Sequence, residues 1–177
     1  MSRTKWVFDP AHSEISFKVK HLMISSVKGV FESFNIEVLS NGEDFSNAEI
    51  SVSIDPSTIN TGSKDRDAHL RSADFFDVEN FKTITFKSEK MEKISDDEFK
   101  LSGDLTIRGI TQKVKLNVEF GGLITDPWGV LKAGFTLEGK INRKEWDLNW
   151  NAALEAGGVL VGEDVRVYAE VELQKQG

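Results

Sequence analysis

A two-residue period in hydrophobicity, which recurs in eight separate segments, constrains the fold of this chain more than any other feature. In residues 14–21, EISFKVKH, the apolar side chains Ile15, Phe17 and Val19 alternate with serine and lysine. Side chains two residues apart project from the same face of a strand, so each segment has one apolar and one polar face. The other seven segments with this pattern are 34–38, 48–54, 83–87, 99–107, 114–120, 133–141 and 165–173.

Strands that are apolar on one face only indicate an antiparallel sheet, because parallel sheets are covered on both faces and show continuous apolar runs. Turn signals separate the segments. Asn41-Gly42 within 40–43 is the strongest hairpin signal. Further turns are predicted at 95–98, 120–122 and 125–129.

Many of these segments are longer than the usual five or six residues of a strand, and long one-sided strands must close into a barrel or stack as two sheets. A sandwich is the alternative, but its strands are usually shorter. We therefore predict an all-β fold: an eight-stranded antiparallel up-and-down barrel, whose interior has room for one small ligand. Residues 1–177 contain no linker and no repeat and are predicted to form one domain.

Composition excludes several functions. The 177 residues include no cysteine, which rules out thiol catalysis and cysteine-based zinc sites. With a net charge of -7 and with lysine and arginine scattered singly along the strands, the chain is not expected to bind nucleic acid. We find no apolar run long enough to span a membrane and no secretory signal, and we expect a cytoplasmic protein. The sequence leaves a homodimer open, although so charged an outer face offers no large apolar interface.

Residues 56–82 form the one long connection, and within it the segment 64–73 is predicted to be a short helix. Ser63 is a suitable N-cap, Asp65 and Asp67 follow in the first turn, and Arg71 comes later, which suits the helix dipole. So short and polar a helix is held weakly and is predicted to act as a lid over the mouth of the barrel. Leu70, Phe75 and Phe76 are the predicted lid residues, and Phe81 is predicted to seal the rim together with the other two phenylalanines. The alternative is that the charged residues of this helix form only exposed ion pairs.

Five stretches resemble the YceI-like family of lipocalin-like, polyisoprenoid-binding barrels. They are 8–34, 66–88, 101–118, 141–151 and 162–173, which span nearly the whole chain in the order of the family. The chain departs from the family pattern at Lys82 and Lys113, where proline is common. The resemblance implies an eight-stranded antiparallel barrel that holds a long isoprenoid chain, such as a polyprenyl phosphate or a quinone tail, as its ligand and partner.

If the barrel holds such a tail, the inward-facing residues of the strands are its predicted contacts. They are Phe17, Val19, Phe34, Ile36, Ile50, Val52, Phe86, Leu105, Leu116, Phe135, Leu137 and Val167. Polar side chains near the mouth would meet the head group, since the forked donors of arginine suit phosphate. These candidates are His12, His21, Arg66, His69, Arg71 and Arg143. Trp146, Leu148 and Trp150 are out of phase with Ile141, which predicts a bulge or bend near 142–145 and packing of the tryptophans at a barrel end.

Two other classes of function compete with a carrier. Three histidines and many carboxylates would allow a hydrolase or a metal site, but the chain contains no HExxH, no GxSxG and no phosphate-binding glycine loop. We therefore expect no catalytic residue, no metal and no cofactor other than the bound lipid. The third class is a stress-related interaction protein whose barrel is filled by its own side chains, because the sequence does not distinguish a filled barrel from a hollow one.

Overall fold

The computed structural model describes residues 3–22, 24–151 and 161–176. In these ranges the chain forms eleven strands and one α-helix, α1, at Lys64–Arg71. The strands are β1 Thr4–Phe8, β2 Glu14–His21, β3 Ser25–Phe31, β4 Phe34–Asn41, β5 Asp44–Ile54, β6 Ile59–Asn60, β7 Ile84–Lys93, β8 Glu98–Ile107, β9 Ile110–Thr125, β10 Leu131–Asn142 and β11 Val161–Lys175. No helix in the described ranges is long and apolar enough to cross a membrane.

Eight strands close into a ring in which all neighbours are antiparallel. The order around the ring is β1, β4, β5, β7, β8, β9, β10 and β11, and β11 pairs again with β1. Apart from β6, strands from β4 onward pair with their neighbours in the sequence, which is the up-and-down arrangement. The predicted eight-stranded antiparallel barrel is confirmed, and each of the eight alternating segments lies in a strand.

The eighth strand of the ring is β1 rather than the alternating segment at β2. Strand β11 is fifteen residues long, so β2 pairs with its first part while β1 pairs with its last three residues, 173–175. Strands β2, β3 and β6 form a ribbon on this shared strand. The alternation did not predict β1 or β3. In β3 the inward positions are Val27, Gly29 and Phe31, and an added Cβ at Gly29 would overlap the ring of Phe17.

Three of the four predicted turns are confirmed. Gly42 adopts a φ of +64° between β4 and β5, and the turns at 95–98 and 125–129 join β7 to β8 and β9 to β10. The predicted turn at 120–122 is wrong, because these residues continue β9. The glycine pair there lies opposite Gly134, where the register between β9 and β10 shifts.

The two ends of the barrel differ. At the end formed by the β4–β5 and β9–β10 hairpins, Phe45 lies 5.1 Å from Trp6 and 4.9 Å from Phe135, measured between ring centroids. Trp6 is fully buried and donates its indole N–H to Ser40 Oγ at 2.7 Å. This aromatic cluster fills the interior at that end. The opposite end carries α1, and we call it the lid end.

Candidate ligand-binding cavity

A cavity of about 570 Å³ occupies the barrel between the aromatic cluster and the lid end. Its volume falls within the range of about 300–1,000 Å³ that is usual for small-molecule sites. The walls are almost entirely apolar, because the inward positions of the alternating strands are aliphatic or phenylalanine. Eleven of the twelve predicted tail contacts line it, namely Phe17, Val19, Ile36, Ile50, Val52, Phe86, Leu105, Leu116, Phe135, Leu137 and Val167.

Phe34 is the exception. It is the first residue of β4, and its ring packs on Phe8 with centroids 5.3 Å apart, in a shallow depression on the outside of the barrel. Alternation sets the face of a strand but not where the cavity ends along it. The same alternation would have found Leu101 and Val114, which also line the cavity.

Helix α1 confirms the predicted lid segment, although it ends at Arg71 instead of residue 73. Ser63 is the N-cap, and its Oγ accepts a hydrogen bond from Arg66 N. Asp67 is buried and accepts from both the backbone N–H and the hydroxyl of Thr61, at 2.9 and 2.5 Å. Its carboxylate therefore fastens the helix to the preceding loop and is not an exposed ion pair.

The three predicted lid residues, Leu70, Phe75 and Phe76, line the cavity, whereas Phe81 does not and lies beside Gly109. After α1 the chain folds back, since Phe76 N donates to Leu70 O at 2.9 Å. The ring of Phe76 meets Phe31 of β3 edge-on at 5.9 Å, and Phe75 lies 5.6 Å from Trp150. These contacts connect the lid segment to β3 and to the segment that follows β10.

Three of the predicted head-group residues from the first half of the chain line the cavity: His21, Arg66 and His69. The imidazole of His69 is 2.9 Å from Asp74 Oδ2 and stands edge-on against Trp150 at 4.5 Å. Arg66 is held by the loop, because its guanidinium donates to Thr61 Oγ1 and Thr61 O at 2.7 and 2.6 Å.

Arg71 does not line the cavity, which corrects its prediction as a head-group contact. The residues of α1 that line the cavity are Asp65, Arg66, His69 and Leu70. They occupy one face of the helix at the spacing i, i+1, i+4 and i+5, and Arg71 falls outside that face. The polar residues that α1 presents to the cavity are thus one aspartate, one arginine and one histidine.

Arg143 is the most buried charged residue of the cavity wall, with 3% of its surface exposed. Its guanidinium donates to four main-chain carbonyl oxygens: Gly162 at 2.8 Å, Leu148 at 2.5 Å, Trp150 at 2.9 Å and Val161 at 3.3 Å. Among the described residues no carboxylate forms an ion pair with it. Burial lowers the pKa of Arg143, yet a guanidinium stays protonated in a protein. The lid end of the cavity therefore carries a buried positive charge that is hydrogen-bonded to carbonyl oxygens and is also stabilised by the more distant carboxylate of Glu163.

The bulge or bend predicted near 142–145 is a bend in the structure. Strand β10 ends at Asn142, and a 3-10 turn at Arg143–Trp146 changes the phase of the side chains. Trp146 is fully buried at the barrel end and donates its N–H to Leu105 O at 2.9 Å, as expected for a packing residue. Trp150 instead lines the cavity, next to His69.

His12 lies away from the cavity, which corrects its prediction as a head-group residue. It ends the 3-10 turn after β1, and its Nδ1 is 2.8 Å from Asp9 Oδ2 and 3.3 Å from Glu172 Oε2. These carboxylates raise the pKa of His12, and the hydrogen bond with His12 lowers the pKa of Asp9. The three donor atoms lie within 4.8 Å of one another, close enough to hold a metal ion. The ammonium of Lys132, 3.6 Å from Glu172, already supplies a positive charge there.

A closed antiparallel barrel around an apolar cavity, with one short helix at its mouth, is a lipocalin-like binding barrel. The YceI-like domain matches residues 6–173, and the chain belongs to that family. A UPF0312 protein of Staphylococcus aureus (strain USA300) is 43% identical over 170 residues, which cover 96% of each chain.

Solved structures share the fold. The Campylobacter jejuni YCEI protein superposes with a TM-score of 0.75 at 30% identity, covering 89% of this chain and 90% of that one. A polyisoprenoid binding domain from Saccharophagus degradans, implicated in plant cell wall breakdown, has a TM-score of 0.67 at 15% identity over 97% and 98% of the two chains. At 15% identity, the similarity to the Saccharophagus domain concerns the fold alone.

Proposed function

We propose that this protein is a non-catalytic carrier of a long-chain isoprenoid lipid, with the tail inside the barrel and the head group at the lid end. The observation that carries the proposal is the apolar cavity of about 570 Å³, because a barrel filled by its own side chains would leave no such space. The name of the Saccharophagus domain, a polyisoprenoid binding domain, supports this ligand class.

The walls of the cavity favour a hydrocarbon tail on energetic grounds. Each buried CH₂ group contributes about 0.8 kcal/mol, so ten of them contribute roughly 8 kcal/mol before the cost of association. That gross value corresponds to a dissociation constant of about 1 μM. Since no polar wall atom is needed for this gain, the cavity would discriminate weakly between tails of similar length.

Selection would fall to the polar groups at the lid end, where His21, His69 and Arg143 line the cavity. The buried guanidinium of Arg143, which has no ion pair among the described residues, favours an anionic phosphate or the partial negative charge of a quinone oxygen over a neutral alcohol. Four of its five N–H groups are engaged with carbonyl oxygens, which leaves one Nη2 hydrogen without a partner among the described residues.

Native mass spectrometry of the purified protein, followed by solvent extraction of the bound molecule, tests the proposal directly. We expect a stoichiometric long-chain isoprenoid, or its uptake when a polyprenyl phosphate or a quinone is added. An apo mass that neither addition changes would refute the carrier proposal and would favour an interaction protein.

A pair of neighbouring residues provides a matched control for the site of binding. Leu116 of β9 points into the cavity, whereas Lys115 beside it is exposed on the outer face. Leu116→Trp should fill the tail space and abolish uptake, and Lys115→Trp should leave it unchanged. Equal uptake by the two variants would place the lipid outside the barrel.

A further inference from the structure

Four basic residues stand side by side across the outer face of the sheet, although the chain as a whole carries a net charge of -7. In the register of the strands Lys140 of β10 is directly opposite Arg166 of β11, Arg166 is opposite Lys18 of β2, and Lys18 is opposite Lys28 of β3. All four side chains are exposed. We call this set, Lys140, Arg166, Lys18 and Lys28, the basic row.

The basic row lowers the stability of the fold and therefore needs another explanation. Like charges directly opposite each other on neighbouring strands repel, and the cost recurs at each of the three contacts in the row. Only its two outer members form ion pairs among the described residues, Lys28 with Glu14 at 3.4 Å and Lys140 with Asp164 at 3.8 Å. The inner two, Arg166 and Lys18, leave a local excess of positive charge that suits an anionic surface.

The same strands carry an apolar tip. The turn between β2 and β3 presents Leu22, which is 37% exposed, and Ile24, which is 84% exposed. Residues 15–31 of this hairpin contain three lysines and no acidic residue. Leu22 directly follows His21, a residue of the cavity wall, so the apolar tip is part of the rim of the cavity at the lid end.

The opposite end of the barrel also exposes large apolar residues, but in an acidic setting. Ile124 and Trp128 of the β9–β10 hairpin are 69% and 84% exposed. Asp126 lies between them, and the adjacent β7–β8 turn contains Asp96 and Asp97, with Glu98 at the start of β8. Asp126 is paired with Lys132 at 3.6 Å and Asp96 with Lys93 at 3.8 Å, so Asp97 and Glu98 carry the unpaired negative charge among the described residues at this tip. An anionic surface would repel this end, so charge distinguishes the two apolar tips.

From this arrangement we propose that the β2–β3 hairpin docks the lid end of the barrel on an anionic lipid bilayer. Leu22 and Ile24 enter the interface, and Lys20 and the basic row bind the anionic head groups. Apolar insertion and basic charge are each weak anchors, and together they give stable but reversible binding. The mouth of the cavity then faces the membrane, from which a tail can pass without crossing water.

The spacing along β2 fits this role. Lys20 is two residues from Leu22, roughly 7 Å along the strand, and this distance is shorter than the screening length of about 8 Å at physiological ionic strength. Lys18 is roughly 13 Å from the tip, since a strand rises about 3.3 Å per residue. The row therefore approaches the head groups when the barrel tilts toward its β2–β3 face, and binding should weaken strongly as salt is added.

The test is flotation of the purified protein with vesicles of phosphatidylcholine alone or of equal parts phosphatidylcholine and phosphatidylglycerol. We expect binding only to the mixed vesicles at low salt. The double variant Leu22→Ser/Ile24→Ser should weaken binding more than about ten-fold, because two large apolar side chains lose their burial. Lys18→Gln and Lys20→Gln should each weaken it about five-fold. Matched controls are Ile124→Ser at the far end and Lys100→Gln on β8, which should bind the mixed vesicles as strongly as the wild-type protein.

Three outcomes would overturn the proposal: no flotation with mixed vesicles, equal losses in the control variants, or duplex DNA binding that matches vesicle binding and survives the tip variant. The last result would identify a general polyanion site.

Docking goes beyond tail binding and does not depend on it. Leu116→Trp should therefore still float with mixed vesicles, so failure of the carrier proposal and failure of docking are distinguishable. Thermal unfolding of each variant confirms that it is folded, and exposed positions such as these should change stability little.

Discussion

Replacing Arg143 by methionine should destabilise the whole lid end of the barrel. The guanidinium joins the 3-10 turn from which it projects, and residues 148–150 just after it, to the start of β11, which is distant in the sequence. Methionine has a similar length and fills much of the same space, so packing is nearly kept. The perturbation is therefore mainly the loss of four hydrogen bonds from one buried, charged donor.

The lost hydrogen bonds determine how far the free energy of unfolding falls. A hydrogen bond that involves a charged group contributes about 1.5–3 kcal/mol, and a buried carbonyl oxygen left without a donor costs about 1–3 kcal/mol. These values are not additive, and removal of the buried charge returns its own desolvation cost. We expect the free energy of unfolding to fall by roughly 3 kcal/mol, which for a chain of this size lowers Tm by about 6–12 °C.

Urea unfolding followed by tryptophan fluorescence measures the change, with Arg166→Met as the matched control. Arg166 is exposed on β11 and should change the free energy of unfolding by no more than about 0.5 kcal/mol. A loss below about 1 kcal/mol for Arg143→Met would refute the reasoning, because it would mean that the carbonyl oxygens find other partners or water.

Three further predictions concern other parts of the barrel. The carboxylates beside His12 raise its pKa above the ordinary value of 6.5, so its stabilising contribution is present below pH 6.5 and is lost as the pH rises through the raised value. The difference in unfolding free energy between the unchanged protein and His12→Gln should therefore shrink at alkaline pH, and a difference that grows would contradict this pairing. Gly103→Ala should lower the free energy of unfolding by about 1–3 kcal/mol, because the added Cβ would lie 2.5 Å from a main-chain oxygen. Gly134→Ala is the control and should be tolerated, since an added Cβ there has nothing within 4 Å. Equal Tm values for the two variants would contradict the close packing around Gly103. Asp67→Ala removes both hydrogen bonds to Thr61 and should speed amide hydrogen exchange in α1 without changing exchange in β9, whereas unchanged exchange in α1 would show that the helix is held by other contacts.

The sequence predicted most of the barrel because its signals are local. Alternation is a property of consecutive residues, and it located β2, β4, β5 and β7–β11 together with most of the apolar strand residues that line the cavity. The N-cap at Ser63 and the acidic first turn likewise predicted α1 from adjacent residues. Phe34 was predicted wrongly because β4 extends beyond the cavity. The turn at 120–122 was predicted wrongly because β9 continues through its glycine pair.

Contacts between distant segments were beyond the reach of these patterns. The prediction that lysine and arginine are scattered singly was true along the chain, yet strand pairing brings Lys140, Arg166, Lys18 and Lys28 into one row. His12 and Arg71 had suitable side chains for a head group but lie off the cavity. Arg143 was predicted at the mouth and a bend was predicted beside it, but its carbonyl partners at Val161 and Gly162 depend on the pairing of distant segments.

The sequence by itself determined the strands, their apolar faces and the short helix, because each depends on the spacing of neighbouring side chains. Only the tertiary structure decided that β1 closes the ring beside β2 on one long strand, that space remains inside, and which charges meet on the outer face. These features depend on register and on the fit of side chains from strands far apart in the chain, where a shift of one residue would reverse every face.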